Sequence, residues 1–285
     1  MSKRPLSHKI RDFVFAVLSF VLSLLLTTLS FCLVLEATIF NKNSWIDNMN
    51  KSDYYVDKTE EVRKHLVDLG YASGLDEDFF KNVVDEIMIT SDTHRYIDDY
   101  FSGKETVIDT TEFKQTFSAA LDEYVEKTGK KVSDADNIQY LIKEAARVYS
   151  SDRRIPTLTS LSTYFLFAKK TVPIVMIISA VIAAGLICMY IFANRWKHRA
   201  VKYIYYASAA TFLADITAAI LMIVNGGITR INIESRSVYN FIVDFVTNIN
   251  IAMWACSAVF LLISIALFLT YRKLLLSVSG SGSSD

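Results

Sequence analysis

Two apolar patterns alternate along the chain. Four stretches are almost unbroken: Phe13–Leu35, Val172–Ala193, Tyr203–Val224 and Phe245–Tyr271. Each supplies the roughly 20 residues that an α-helix needs to cross a bilayer. Lipid offers no partner for backbone N–H and C=O groups, so such stretches are expected to be helices. Residues 36–170 instead carry apolar positions at helical intervals separated by polar ones. Val62, Leu66 and Leu69 form one stripe, and Phe79, Phe80, Val83, Val84 and Ile87 form another within a helix expected over Asp76–Ile87. Ile97, Tyr100 and Phe101 mark a short helix capped by Ser91. Phe113, Phe117, Leu121, Tyr124 and Val125 mark a longer one, and Ile138, Leu141, Ile142, Ala145, Val148 and Tyr149 the next. Gly70, Gly74, Gly103 and Gly129 fall where these patterns end, as left-handed caps would. Thr106–Asp109 alone reads as extended chain.

The expected fold class is an all-α membrane protein, a four-transmembrane-helix bundle with a large extracellular helical domain between helices 1 and 2. The expected divisions are an N-terminal segment 1–12, span one 13–35, an external domain 36–170 and span two 172–193. A loop 194–202, span three 203–224, an outer loop 225–244, span four 245–271 and a tail 272–285 follow. The domain reads as five or six helices. Gly280–Ser284 reads as a flexible tail.

Charge orients the spans, because short cytoplasmic loops keep Lys and Arg. Lys3, Arg4, Lys9 and Arg11 precede span one; Arg195, Lys197, Arg199 and Lys202 separate spans two and three; Arg272 and Lys273 follow span four. Both termini are therefore expected in the cytoplasm of a plasma-membrane, multi-pass protein. The domain between spans one and two, with 25 acids against 18 bases, is expected outside. The whole chain has 30 basic and 30 acidic residues and is 52% hydrophobic, so neither net charge nor average composition discloses this segregation. Span one is too long for the apolar core of a cleaved signal. Leu29–Cys32 resembles a lipidation signal except for the bulky Phe31. Cys32, Cys188 and Cys256 all lie in spans, so the domain is expected to fold without disulfides.

Candidate chemistry is sparse. No metalloprotease motif, phosphate-binding glycine loop or nucleophile elbow is present, and the expectation is a non-enzyme with no cofactor and no nucleic-acid partner. His94 and Asp98 have the i, i+4 spacing of a weak metal-ligand pair, against which stands the reading of a solvated acidic face. Asp215 is the one charge in the four spans and shares a helix face with Ser208 and Thr211. Two readings stay open there: a proton or cation site, or a carboxyl that joins helices through hydrogen bonds to neighbouring spans. Val238, Phe241 and Ile242 suggest that span four begins early, as a contact between domain and bundle. Arg195, Lys197 and Arg199 read as a cytoplasmic anchor or a docking point. The tyrosines and phenylalanines near positions 54, 96–101 and 164–167 read as core or as an aromatic binding surface.

One span, a large external domain and three further spans resemble the FtsX family in topology. That resemblance implies a membrane subunit coupling a cytoplasmic ATPase to cell-wall hydrolases. The runs Tyr96–Lys104, Val107–Thr110 and Asn194–Ala200 resemble those of uncharacterised four-span proteins of anaerobic Gram-positive bacteria; this implies topology and origin, and no activity. The leading functional expectation is a protein of the lipid bilayer whose outer domain binds an envelope component or a protein partner, anchored by or signalling through the bundle. The alternatives are a channel or transporter using Asp215 and an FtsX-like subunit. Oligomeric state is not legible.

Overall fold

A computed structural model describes residues 6–71, 74–75, 77–104, 108–129, 135–153, 156–194, 196–225 and 233–280. Among them lie ten helices: α1 (Leu6–Ala37), α2 (Lys42–Lys51), α3 (Tyr54–Gly70), α4 (Glu77–Val83), α5 (Glu86–Ser102), α6 (Thr111–Thr128), α7 (Ala135–Arg153), α8 (Pro156–Ala193), α9 (Lys197–Asn225) and α10 (Arg236–Gly280). No strand occurs among the described residues, so the all-helical expectation holds. Four segments are long and apolar enough to cross a membrane: Ile10–Ala37, Ser162–Ala193, Lys197–Val224 and Arg236–Ser277. They are longer than the apolar stretches that signal them; α8 starts at a proline, suited to the first helical position, and α10 at a serine-capped turn. The chain forms two compact units, one of residues 1–41, 168–230 and 246–285 and the other of residues 42–167 and 231–245.

In the first unit α1 lies parallel to α9. Ser19 meets Tyr203, Ser23 meets Thr211, Ser30 meets Asp215 and Val34 packs with Ala219. Fully buried Ala207 and Ala219 let the backbones approach. α8 runs antiparallel to α1: the Tyr190 hydroxyl donates to the Phe15 carbonyl at 2.9 Å, and Ala183 joins the same core as Leu22. Tyr190 also stacks on Tyr203 at 5.7 Å. α10 runs antiparallel to α9, through Asn250 with Ala219, Ser264 with Ser208, and Tyr205 with Phe268. The beginning of α1, the α8–α9 connection and the last turns of α10 therefore share one end of the bundle. Phe13, Phe20, Val181, Leu213 and Leu262 face outward, an apolar exterior that suits lipid.

In the second unit α3 packs against α2, α4, α5 and α7, burying Val62 and Leu66 completely. Phe79 and Phe80 meet Phe117 of α6, and Phe113 stacks on Tyr149 of α7 at 4.3 Å. A second aromatic centre surrounds Trp45, which touches Tyr100, Phe101, Phe165, Phe241 and Phe245. Tyr54, Tyr55, Tyr96, Tyr100 and Phe101 are thus core and do not form an exposed aromatic surface. Tyr164 and Phe167, 73% and 70% exposed, are the exceptions.

Three local expectations change. The helix expected over Asp76–Ile87 stops at Val83, leaving Ile87 79% exposed, and Asp76 lies outside the described residues. α5 starts at Glu86, five residues before Ser91, because Asp85 is extended and its carboxylate accepts from the Met88 N–H at 2.7 Å. Gly103 and Gly129 have positive φ and cap α5 and α6 as expected, whereas Gly70 is the last residue of α3 and sits where a Cβ would meet the Phe80 ring at 2.5 Å. Of Thr106–Asp109, residues 106–107 lie outside the described residues.

Candidate functional site

The polar groups that the first unit buries form a seam between its helices. Asp215 is 1% exposed, and Ser30 of α1 donates its hydroxyl to Asp215 Oδ2 at 2.7 Å. Asp215 Oδ1 is buried and receives no hydrogen bond from the described residues; the same is true of the Ser257 hydroxyl on α10. The antiparallel pairs Asn250–Ala219 and Ser264–Ser208 bracket Asp215, which puts Cys256 and Ser257 at its height. The Cys256 thiol lies near both Ser30 and Asp215.

Ser208 and Thr211 share the Asp215 face but do not bond to it. Ser208 accepts from Ser264 Oγ at 2.9 Å and donates to the Phe260 carbonyl. The Thr211 hydroxyl lies 3.1 Å from the Ala207 carbonyl and 3.3 Å from that of Ser23. Each of these hydroxyls has an acceptor, so neither is free for the carboxylate. The partner comes from α1, and sequence reading overlooked it together with Ser257 and Ser264. The signal was present: Ser19, Ser23 and Ser30 fall on one helical face, as do Ser257 and Ser264. Chemically, the site holds a carboxyl with one satisfied and one unsatisfied oxygen in a buried seam. Such a group can take up a proton or accept a hydrogen bond from a small guest.

A second constellation sits in the other unit. Glu61 of α3 is half-buried and accepts four hydrogen bonds, three of them from the start of α10. Ser237 N–H reaches Oε1 at 2.8 Å; Ser235 Oγ, Ser237 Oγ and Lys58 Nζ reach Oε2 at 2.7, 3.0 and 3.1 Å. Ser235 in turn caps α10 by accepting from the Val238 N–H. Burial alone would raise the Glu61 pKa, but the bonds from Ser237, Ser235 and Lys58 outweigh it and hold the carboxyl below the usual glutamate range. One helical turn earlier, Asp57 accepts from Asn240 Nδ2 at 2.9 Å. Sequence reading missed Glu61 because three of its four bonds come from residues more than 170 positions away.

The remaining candidate residues separate. His94 Nε2 lies 3.0 Å from the Tyr55 hydroxyl, whereas Asp98 is paired with Lys42 at 2.6 Å. They do not converge, and no group of three metal-ligating side chains occurs among the described residues. Burial pushes the Tyr55 and Tyr100 phenols up to about 12, which keeps both neutral donors. Phe241 is buried against Trp45 and Tyr54, and Val238 and Ile242 are half-buried, in a segment that belongs to the unit formed by residues 42–167. Lys197 is exposed and Arg199 half-exposed at the start of α9; Arg195 lies outside the described residues, as do Lys3 and Arg4.

The fold and the seam define a membrane-type four-helix unit joined to a helical domain that has its own aromatic core. No protein-family model, curated protein or solved structure matches the chain.

Proposed function

We propose that the chain is a non-enzymatic plasma-membrane protein whose helical domain faces outward, binds an envelope component or a protein partner, and is anchored by, and signals through, the four-helix bundle. The observation that carries this reading is the sharing of α10. Its first turns are built into the domain through Glu61, Asp57 and the Trp45 aromatic centre, and its remaining length belongs to the bundle unit. Binding that loosens or tightens the grip on Ser235–Asn240 acts directly on a membrane-length helix. Exposed apolar side chains on the domain, Tyr71, Ile87 and Tyr140, supply contact area for a partner.

The test is site-specific photo-cross-linking of the full chain in cells, with the reactive side chain placed at Tyr71, Ile87 or Tyr140. A position-dependent adduct that Glu61→Gln alters supports the reading. Absence of adducts at all three positions, with no effect of deleting residues 42–153, overturns it.

The buried, unpartnered Asp215 Oδ1 favours a second reading, a channel or transporter that uses this carboxyl. Reconstituted vesicles separate the two. Proton or cation flux abolished by Asp215→Asn supports transport, and absence of flux in the unaltered protein overturns it.

A further inference from the structure

On the outer surface of the bundle unit, α9 and α10 leave a trough of about 340 Å³ lined by Tyr205, Ala209, Leu213, Leu261, Ile265 and Phe268. It exists because Ala209 is small between larger neighbours, so α9 does not fill the space beside Ile265. Ser264 also lines it, but its hydroxyl is spent on Ser208 at 2.9 Å. Apart from the Tyr205 hydroxyl the lining side chains are apolar or spent, so hydrocarbon is what fits along its length. One end is different. Lys202 lies one helical turn before Tyr205, and its ammonium sits 5.5 Å above the Tyr206 ring. Arg272, exposed, lies one turn beyond Phe268, and Tyr205 and Phe268 are themselves in contact at 5.6 Å. No acid occurs on α9 before Asp215 or on α10 between Asp244 and Gly280. Around Tyr203 the charges are Lys202, Arg199 and Arg11 against Asp12, a positive balance.

We propose that this trough binds an anionic diacyl phospholipid, with an acyl chain along Ala209 and Ile265 and the phosphate between Lys202 and Arg272. An apolar slot with a basic residue one helical turn beyond its end on each helix, Lys202 and Arg272, matches a ligand with a long hydrocarbon chain and a negative head. A free phosphate ion would leave the slot empty, and an uncharged lipid would leave the cations unmatched. Basic side chains at the membrane surface each add to anionic-lipid affinity. The assignment is independent of whether the outer domain or Asp215 carries the main activity.

Native mass spectrometry of the full chain, released from nanodiscs holding equal phosphatidylglycerol and phosphatidylcholine, tests it. The expected result is one retained phosphatidylglycerol in preference to phosphatidylcholine. Changing Lys202→Gln together with Arg272→Gln is expected to lower that preference about tenfold. Ala209→Phe fills the trough and is expected to displace both lipids; Ala209→Val, a milder change, is expected to weaken both, and melting curves check that each variant is folded. An unchanged preference in the double variant, or full retention with Ala209→Phe in folded protein, overturns the proposal. So does a dimer that forms instead of the lipid complex and that Ala209→Phe abolishes, since a second copy then covers the trough.

Discussion

The backbone N–H of Ser237 donates to Glu61 Oε1 at 2.8 Å, so a carboxylate of α3 closes the first turn of α10. A helix N-terminus carries unsatisfied N–H groups and a partial positive charge, and an ionised carboxylate answers both. Because the folded Glu61 pKa lies below its ordinary 4.5, the stability it supplies is complete above about 4.5 and is lost as pH falls through the depressed folded value. Glu61→Gln is expected to cost about 1–3 kcal/mol at neutral pH, and more if Lys58, 5% exposed, is left without its counter-charge. Protection of the Ser237 amide, its exchange rate relative to the intrinsic rate at the same pH, is expected to fall in the variant and, in the unaltered protein, only as the medium is acidified. Unchanged protection at Ser237 in Glu61→Gln would remove the clasp from the account.

Ser30 and Asp215 are expected to be energetically coupled. Ser30→Ala leaves Oδ2 without its donor in a carboxyl whose Oδ1 already lacks one. Interhelical hydrogen bonds in membranes average about 0.6 kcal/mol and reach about 1.7. A double-mutant cycle with Ser30→Ala and Asp215→Leu is therefore expected to show a coupling of about 0.5–2 kcal/mol in unfolding from bicelles. Strict additivity would mean that the 2.7 Å contact contributes nothing.

The four spans were legible because bilayer crossing is a one-dimensional property of composition. The buried stripes of α3, α6 and α7 were legible for the same reason, since Val62 with Leu66, Phe113 with Phe117 and Leu141 with Ala145 each follow from helical period alone. The α4–α5 break was not. Asp85 and Ser91 are both good caps, and Ile87 continues the α4 spacing. What helps decide is the Val84 carbonyl, which accepts from Arg63 Nε at 2.8 Å on another helix. The seam divides in the same way. The face of α9 that carries Asp215 could be read from spacing, but which hydroxyl meets it depends on how α1 slides along α9. That register is set by side-chain packing such as Phe15 with Tyr203 and Val34 with Ala219. Glu61 shows the extreme case, an ordinary surface-type glutamate in sequence whose role comes mainly from Ser235 and Ser237, more than 170 positions away.

Gly70 ends α3 against the Phe80 ring, and a Cβ there would lie 2.5 Å from ring carbon Cζ. Alanine gains about 1 kcal/mol of helix propensity over glycine, while forcing a methyl into a packed core costs about 1–3 kcal/mol. Phe80 is 1% exposed and held by Phe79 and Phe117, so the ring has little room to yield. Gly70→Ala is therefore expected to lower the melting temperature, and Phe80→Leu in the same chain to recover part of the loss relative to Phe80→Leu alone. A Gly70→Ala variant as stable as the parent would show that the ring moves freely.

Charge-based topology makes the last prediction. The native cysteines Cys32, Cys188 and Cys256 all lie within the membrane-length helices, so a charged, membrane-impermeant thiol reagent is expected to leave the unaltered chain unlabelled in intact cells. Ile87→Cys, at a position 79% exposed on the domain, is expected to be labelled from outside without permeabilisation. Trp196→Cys, at a position 49% exposed beside the basic start of α9, is expected to be labelled only after the membrane is opened. The basis is the general tendency of short basic flanks, here Lys197, Arg199 and Lys202, to be retained on the cytoplasmic side. The bundle puts the start of α1, the α8–α9 connection and the end of α10 at one end, so cysteines near either terminus are expected to behave like position 196. Outside labelling at 196 with protection at 87 would invert the protein in the membrane and move the helical domain into the cytoplasm.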